Sequence, residues 1–318
     1  MPLAAQFAVF AAGLLILVAG AEAFIRGAVT IARRFGVSPF VIGLTLVGFG
    51  TSAPELVVNV AAACNGSPDL ALGNVVGSNV SNIGLILGTA AVVAPLAVQM
   101  RLLKAEIPMM LGATGLLWVL SADGELGRLD GGILLALFAG MMVYLVRFSP
   151  PETPDVKEEI GEEAARKRVP WGSAALLVGG LVGLVGGAEL MVRSAVAIAT
   201  AWGVSELVIG LTVVAIGTSL PELASSVAAA VRGHADIAVG NVIGSNIFNI
   251  VLILGVTTQV APLPVPADLL ALDIPAMVGF SLLFLAVLAN GLVIRRWEGG
   301  LLLAAFVGFV IWQVVRAS

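Results

Sequence analysis

The chain has 318 residues, 59% hydrophobic and only 11% charged, with a net charge of −4. A soluble domain of this size carries about 25% charged residues, so the composition excludes a water-soluble protein and points to an integral membrane one, in line with a mean hydropathy of +1.07. The single cysteine, Cys64, excludes an intramolecular disulfide, and its place at the end of an apolar stretch reads as packing.

A spanning helix needs about 20 mostly apolar residues. Ten stretches qualify: 3–25, 38–63, 69–97, 104–121, 130–148, 171–194, 205–230, 236–260, 268–290 and 299–316. In the first, Ala21-Glu22-Ala23 imitates a signal cleavage site. No basic residue precedes that apolar run, however, and Glu22 and Arg26 recur as Glu189 and Arg193, so it reads as a mature first helix. The longest connection, 149–169, is rich in proline, glutamate and basic residues. Its Glu162/Arg166 and Glu163/Lys167 spacings suit either a short surface helix or a solvated linker. The expected organisation is a first five-helix repeat over 1–148, a linker over 149–169, and a second five-helix repeat over 170–318.

The two halves carry one pattern. Gly50-Thr51-Ser52-Ala53-Pro54-Glu55 and Gly73-Asn74-Val75-Val76-Gly77-Ser78-Asn79-Val80-Ser81-Asn82 return 167 residues later as Gly217-Thr218-Ser219-Leu220-Pro221-Glu222 and Gly240-Asn241-Val242-Ile243-Gly244-Ser245-Asn246-Ile247-Phe248-Asn249. Windows 43–88 and 210–255 are identical at 29 of 46 positions. Five helices per half is an odd number, so equivalent helices must cross the membrane in opposite directions, the inverted repeat of many secondary transporters. Assigning loops alternately to two sides places 13 of the 16 basic residues on one side and only Arg128, Arg193 and Arg316 on the other. The positive-inside rule then puts both termini outside and the 149–169 linker in the cytoplasm. The expected fold class is an all-α integral membrane protein of ten transmembrane helices in two inverted repeats.

The repeated motif is costly in a bilayer. Pro54 cannot donate to the Gly50 carbonyl and clashes with it, and Gly48 and Gly50 weaken the same turn. Broken backbone is tolerated at membrane depth only against protein or a cavity. A charged side chain at the helix centre costs about 2.5–3.5 kcal/mol, and no lysine or arginine lies within the nearby spans to pair with Glu55 or Glu222. A bound cation is the simplest partner. Asn74, Ser78 and Asn82 fall on one helix face at i, i+4, i+8, as do Asn241, Ser245 and Asn249. Oxygens of carboxylates, amides and hydroxyls favour Ca²⁺ or Na⁺ over Zn²⁺ or Cu²⁺, and the only histidine, His234, falls in a loop.

Plainer roles fit the neighbours. Gly73, Gly77, Gly240 and Gly244 read as small residues for close helix packing, and Asn79 and Asn246 as bonds between helices or to backbone. Glu22/Arg26 and Glu189/Arg193 suit ion pairs, and Glu106 and Asp273 suit the first turns of equivalent helices.

The paired motifs resemble the α-repeats of the cation/Ca²⁺ antiporter superfamily, most closely the prokaryotic Na⁺/Ca²⁺ exchanger branch, and the resemblance covers essentially the whole chain. It implies that Glu55 and Glu222 are shared by Ca²⁺ and Na⁺, and that Thr51 and Thr218 contribute backbone carbonyls. It further implies that Ser52 and Ser219 sit beside them, that Ser78 and Ser245 help form flanking Na⁺ sites, and that the carbonyls of Gly48 and Ala215 add Na⁺ ligands. Asn82 matches the central amide, whereas Asn249 stands where a close exchanger relative carries aspartate. The Gly-Asn-x-x-Glu pattern usual in the Ca²⁺/H⁺ branch is absent, Gly77 and Gly244 holding that place. The family's alternating access is a sliding of the first and sixth helices, here 3–25 and 171–194.

The implied function is Na⁺/Ca²⁺ antiport, with Ca²⁺/H⁺ exchange at the same site as the alternative. A passive cation channel fits the broken, inverted helices less well, and a membrane hydrolase lacks a nucleophile–base pair. No enzyme activity, cofactor or nucleic-acid partner is expected. The expected working unit is a monomer in a prokaryotic inner membrane.

Overall fold

The computed structural model describes residues 2–35, 39–98, 104–148, 171–202, 215–289 and 291–317; the 149–169 linker lies outside these. Helix dominates. The elements are α1 (Leu3–Phe35), the bent pair α2a (Gly43–Thr51) and α2b (Ala53–Cys64), and α3 (Pro68–Val93). Then come α4 (Glu106–Leu120), α5 (Arg128–Phe148), α6 (Trp171–Ala201), and the pair α7a (Ala215–Thr218) and α7b (Leu220–Val231). α8 (Ala235–Val260), α9 (Leu269–Ala289) and α10 (Arg296–Ala317) complete the set.

Among the described residues seven helices are long and apolar enough to cross a membrane, and the bent α2 pair makes an eighth span. Two of the ten expected stretches fall short for separate reasons. α4 has 15 residues, and the first part of the seventh stretch, through residue 214, lies outside the described residues. Cys64 is exposed rather than packed.

Local chemistry explains the breaks. Ser52 (φ −83°, ψ 3°) and Ser219 (φ −88°, ψ 4°) leave the helical region at the same repeat position. Pro54 and Pro221 follow in the first turns of α2b and α7b, where a missing N–H costs nothing. The two helices also end alike. Gly66 (φ +69°) and Gly233 (φ +78°) adopt the left-handed conformation. The amides of Ser67 and His234 then bond back, each at 2.9 Å, to Ala62 and Ala229 carbonyls, a glycine-dependent C-terminal turn. Looser π-helical turns occur at Gly43–Val47, Asn82–Leu87, Phe248–Ile253 and Leu269–Asp273.

α8 and α3 form the centre, with 94% and 78% of their spans buried, while α1 and α6 (33% and 28%) lie outside. α1 and α6 pack antiparallel along a glycine seam: Gly13 meets Gly187, Gly20 meets Gly183 and Leu184, and Gly27 meets Leu177 and Ser173. In the centre Gly43 lies against Ile237, and Gly244 against the backbone of Leu44. Among the described residues nothing lies within 4 Å of a Cβ added at Gly73 or Gly77; Leu211, the repeat counterpart of the Leu44 that meets Gly244, lies outside them.

Two-residue strands tie the halves crosswise. β1 (Leu96–Ala97) pairs antiparallel with β4 (Val293–Ile294), and β2 (Glu125–Leu126) with β3 (Leu263–Pro264). Helices cross over likewise: Gly299 of α10 packs on Gly88 and Ala91 of α3, and Gly131 of α5 on Gly255 and Thr258 of α8.

The seam is testable. A Cβ at Gly20 would lie 2.6 Å from the Leu184 nitrogen, whereas nothing lies within 4 Å of one at Gly179. Gly20→Val is expected to destabilise the purified protein by about 1–3 kcal/mol, and Gly179→Val to leave it unchanged, read as thermal midpoints in detergent.

Candidate cation site

The two breaks bring the motif residues together at the centre. Glu55 and Glu222 occupy the first turns of α2b and α7b, where the positive end of the helix dipole favours a carboxylate. Each is only 2% exposed. Ser52 joins the halves directly: its hydroxyl donates to Glu222 Oε1 at 3.3 Å and lies 3.1 Å from Ser245 Oγ of α8. Thr51, fully buried, donates to the Val47 carbonyl at 3.0 Å and lies 3.2 Å from Asn241 Oδ1.

Asn82 and Asn249 lie at the π-helical turns of α3 and α8, an arrangement that recurs at functional sites because it turns a helix face. Asn82 Nδ2 donates to Asn246 Oδ1 at 2.9 Å, and Asn246 Nδ2 reaches Met110 Sδ of α4 at 3.5 Å. Asn79 donates to the Val75 carbonyl of its own helix at 2.7 Å. Asn79 and Asn246 therefore have the bonding roles expected of them.

The other predicted residues are placed as follows. Ser78 and Ser245 are buried, Ser78 one turn before Asn82, and Ser219 is buried at the second break. Thr218 is half-buried at the end of α7a, which Ala215 opens. The Gly48 carbonyl accepts the Ser52 amide at 3.0 Å. Buried oxygens of five predicted site residues, drawn from both repeats, have no hydrogen-bond partner: Glu55 Oε2, Glu222 Oε2, Ser219 Oγ, Asn82 Oδ1 and Asn249 Oδ1. Outside that set, side-chain oxygens of Asn59, Asn79, Ser81 and Ser121 are likewise buried without partners. An unsatisfied buried polar atom costs about 1–3 kcal/mol, more when charged. Such oxygens suit a hard cation that takes several carboxylate, amide and hydroxyl oxygens together. Among the described residues no group of three or more His, Cys, Asp or Glu side chains gathers.

Sequence reasoning missed the supports around this cage. Asn241 Nδ2 donates to Ser226 Oγ at 2.8 Å and Ser225 Oγ at 3.2 Å. Their signal was the pair of hydroxyls one turn beyond Glu222. The Glu22–Arg26 and Glu189–Arg193 pairs form as expected, at 2.6 and 2.5 Å. Glu22 also accepts from Arg232 at the end of α7b, Nε to Oε2 at 2.6 Å, a partner 210 residues away that spacing cannot reveal.

The sequence matches the profile described as Sodium/calcium exchanger protein over residues 5–147 and 172–315. It is 42% identical over 303 residues to the putative antiporter CaxA of Alkalimonas amylolytica, covering 93% of this chain and 95% of that protein. It is 36% identical to the sodium/calcium exchanger MaX1 of Methanosarcina acetivorans, covering 96% and 97% of the two chains. The structure is similar to that of the sodium-calcium exchanger NCX_Mj soaked with zero Na⁺ and Ca²⁺, with a TM-score of 0.84 at 36% identity over 98% of this chain and 100% of that one.

The central amides divide into a structural one and an open one. Asn246→Ala removes the acceptor of the Asn82 amide and is expected to cost about 1–3 kcal/mol of stability in ion-free detergent. Asn249→Ala, which breaks no hydrogen bond at Oδ1, should leave ion-free stability unchanged and instead weaken the stabilisation added by Ca²⁺. Thermal unfolding with and without Ca²⁺ reads both.

Proposed function

The chain belongs to the sodium/calcium exchanger family, and from that premise we propose that it is a secondary antiporter exchanging Na⁺ for Ca²⁺ at the cage around Glu55 and Glu222. The carrying observation is the set of five unpartnered buried oxygens drawn from both repeats. Ca²⁺ or Na⁺ bound by Glu55, Glu222, Asn82, Asn249 and Ser219 would satisfy them. Thr51, Thr218, Gly48 and Ala215 supply carbonyls, and Ser52, Ser78 and Ser245 complete the oxygen shell.

In this reading ten spans form two inverted five-helix repeats, 1–148 and 170–318, with the termini outside and the 149–169 linker cytoplasmic. Several observations support it. The equivalent helices α1 and α6 pack antiparallel. Paired segments must emerge on one face, and the ten-span alternation puts β1 with β4, and Glu22 with Arg232, on the linker side. It puts β2 with β3, and Asp273 with Arg316, on the other. Sliding of α1 and α6 over the centre would expose the cage to the two sides in turn. Two ionised glutamates in an empty cage oppose closure, because burying uncompensated charge is costly; that penalty couples the two ion flows. The monomer contains the whole cage, and the predicted home is a prokaryotic inner membrane.

Na⁺-gradient-driven ⁴⁵Ca²⁺ uptake into proteoliposomes tests the reading. Wild type should accumulate Ca²⁺, and Glu55→Gln or Glu222→Gln should reduce uptake at least about a hundredfold, since each removes a charge the ion must replace. Uptake driven by a pH gradient and indifferent to Na⁺ would convert the reading to Ca²⁺/H⁺ exchange.

The charge count gives a second test. With Asn249 neutral the cage carries a formal charge of −2, balanced by one Ca²⁺ or two Na⁺. Exchange is therefore expected to be electroneutral, and imposed K⁺-diffusion potentials should not change its rate. A steep dependence on potential would rule this out.

A further inference from the structure

The two repeats hold their glutamates differently. Asn241 of α8 is fully buried. Its Nδ2 donates to Ser226 Oγ at 2.8 Å, Ser225 Oγ at 3.2 Å and the Glu222 carbonyl at 3.4 Å. Its Oδ1 lies 3.2 Å from the Thr51 hydroxyl, whose one proton it shares with the Val47 carbonyl at 3.0 Å. One amide thus ties α8 to the main chain of one site glutamate and, across the repeat boundary, to the broken end of α2a.

Asn74 has the same place in the first repeat and makes no such tie among the described residues. Val58 and Asn59 stand where the second repeat has Ser225 and Ser226. Asn59 Nδ2 turns back to the Glu55 carbonyl of its own helix at 2.8 Å. The Nδ2 of Asn74 and the Oδ1 of Asn59 are buried without partners. Among the described residues Glu222 is therefore cross-braced to a second helix, and Glu55 is braced along its own.

We propose that Asn241 is a positioning residue that sets the ion-size selectivity of the cage by fixing Thr51 and Glu222 relative to one another. This rests on the exchanger reading of the cage. Cations of equal charge but different radius are distinguished by ligand number, cavity size and the stiffness with which the oxygens are held. A cross-braced half resists expansion around a larger ion. The Glu55 half, lacking that brace, adapts to whichever ion is bound. Asn241 acts through Thr51 and Glu222, and Asn74 has no equal role.

The readout is the ratio of apparent affinities for Ca²⁺ and Ba²⁺, which a general loss of stability does not move. It is measured as competition with ⁴⁵Ca²⁺ uptake in proteoliposomes and, independently of transport, as ion-dependent thermal stabilisation of the purified protein. Asn241→Ala should lower the Ca²⁺/Ba²⁺ ratio about fivefold, the loss of one net hydrogen bond, and Asn74→Ala should leave it within twofold of wild type. Ser226→Ala removes only the 2.8 Å bond and should move the ratio the same way by less, which serves if Asn241→Ala does not fold. Placing the second-repeat hydroxyls in the first repeat (Val58→Ser with Asn59→Ser) should make Asn74→Ala costly to the ratio. A wild-type ratio in both Asn241→Ala and Ser226→Ala, or an equal fall in Asn74→Ala, overturns the inference while the exchanger reading stands. A wild type that carries no Ca²⁺ in either gradient removes both.

Discussion

The structure depends on one electrostatic constraint: two carboxylates must sit inside an apolar slab without a basic partner. Glu55 and Glu222 are nearly inaccessible, and Glu222 accepts a hydrogen bond from the neutral Ser52 hydroxyl. A neutral donor offsets only part of the cost of taking a carboxylate out of water. The remainder is met by arrangement. Both groups lie at half-helix N-termini, where the dipole is favourable, and in a ring of amide and hydroxyl oxygens. Breaking two helices to create those N-termini exposes backbone, which is tolerable only because α3 and α8 enclose the breaks. The most buried helices are therefore also the most polar along one face.

Crosswise assembly follows from this. A cage built from both repeats needs them interlocked, and the contacts that interlock them are reciprocal. β1 meets β4 while β2 meets β3, and α10 covers α3 while α5 covers α8. Each half supplies the wall that the other lacks, so neither could enclose its own glutamate alone. The glycine seam between α1 and α6 differs in character. It brings the two helix backbones into direct contact, so that α1 and α6 are held to each other as a pair outside the centre.

Much of this was legible in the sequence because it is written in local chemistry. A proline after a glycine-rich turn announces a broken helix, a residue offset of 167 announces two copies, and buried glutamates without basic partners announce a cation. The turns at Gly66 and Gly233 obey the same local logic. The helical breaks and the two glutamates were named from those signals, Asn82 and Asn249 from a polar stripe on one helix face, and Ser219 from the family resemblance. The remainder concerns pairs of residues far apart in the chain. Periodicity identifies the face on which Asn241 lies but not that Thr51 meets it, and nothing in the spacing of Glu22 and Arg26 points to Arg232.

The departures from exact repetition bear on function as much as the repetition does. If the halves exchanged roles perfectly, the two orientations of an inverted carrier would have equal energy, and only ion gradients would bias them. This chain is not symmetric. Arg232 reaches across to Glu22, whereas the first repeat has Asn65 at the matching position, which cannot form that ion pair with Glu189. The pair is partly exposed, so it contributes at most about 1 kcal/mol, yet a differential of that size changes a two-state population about fivefold. The same sequence differences that brace Glu222 more firmly than Glu55 make one half of the cage the fixed reference and the other the part that yields to the ion.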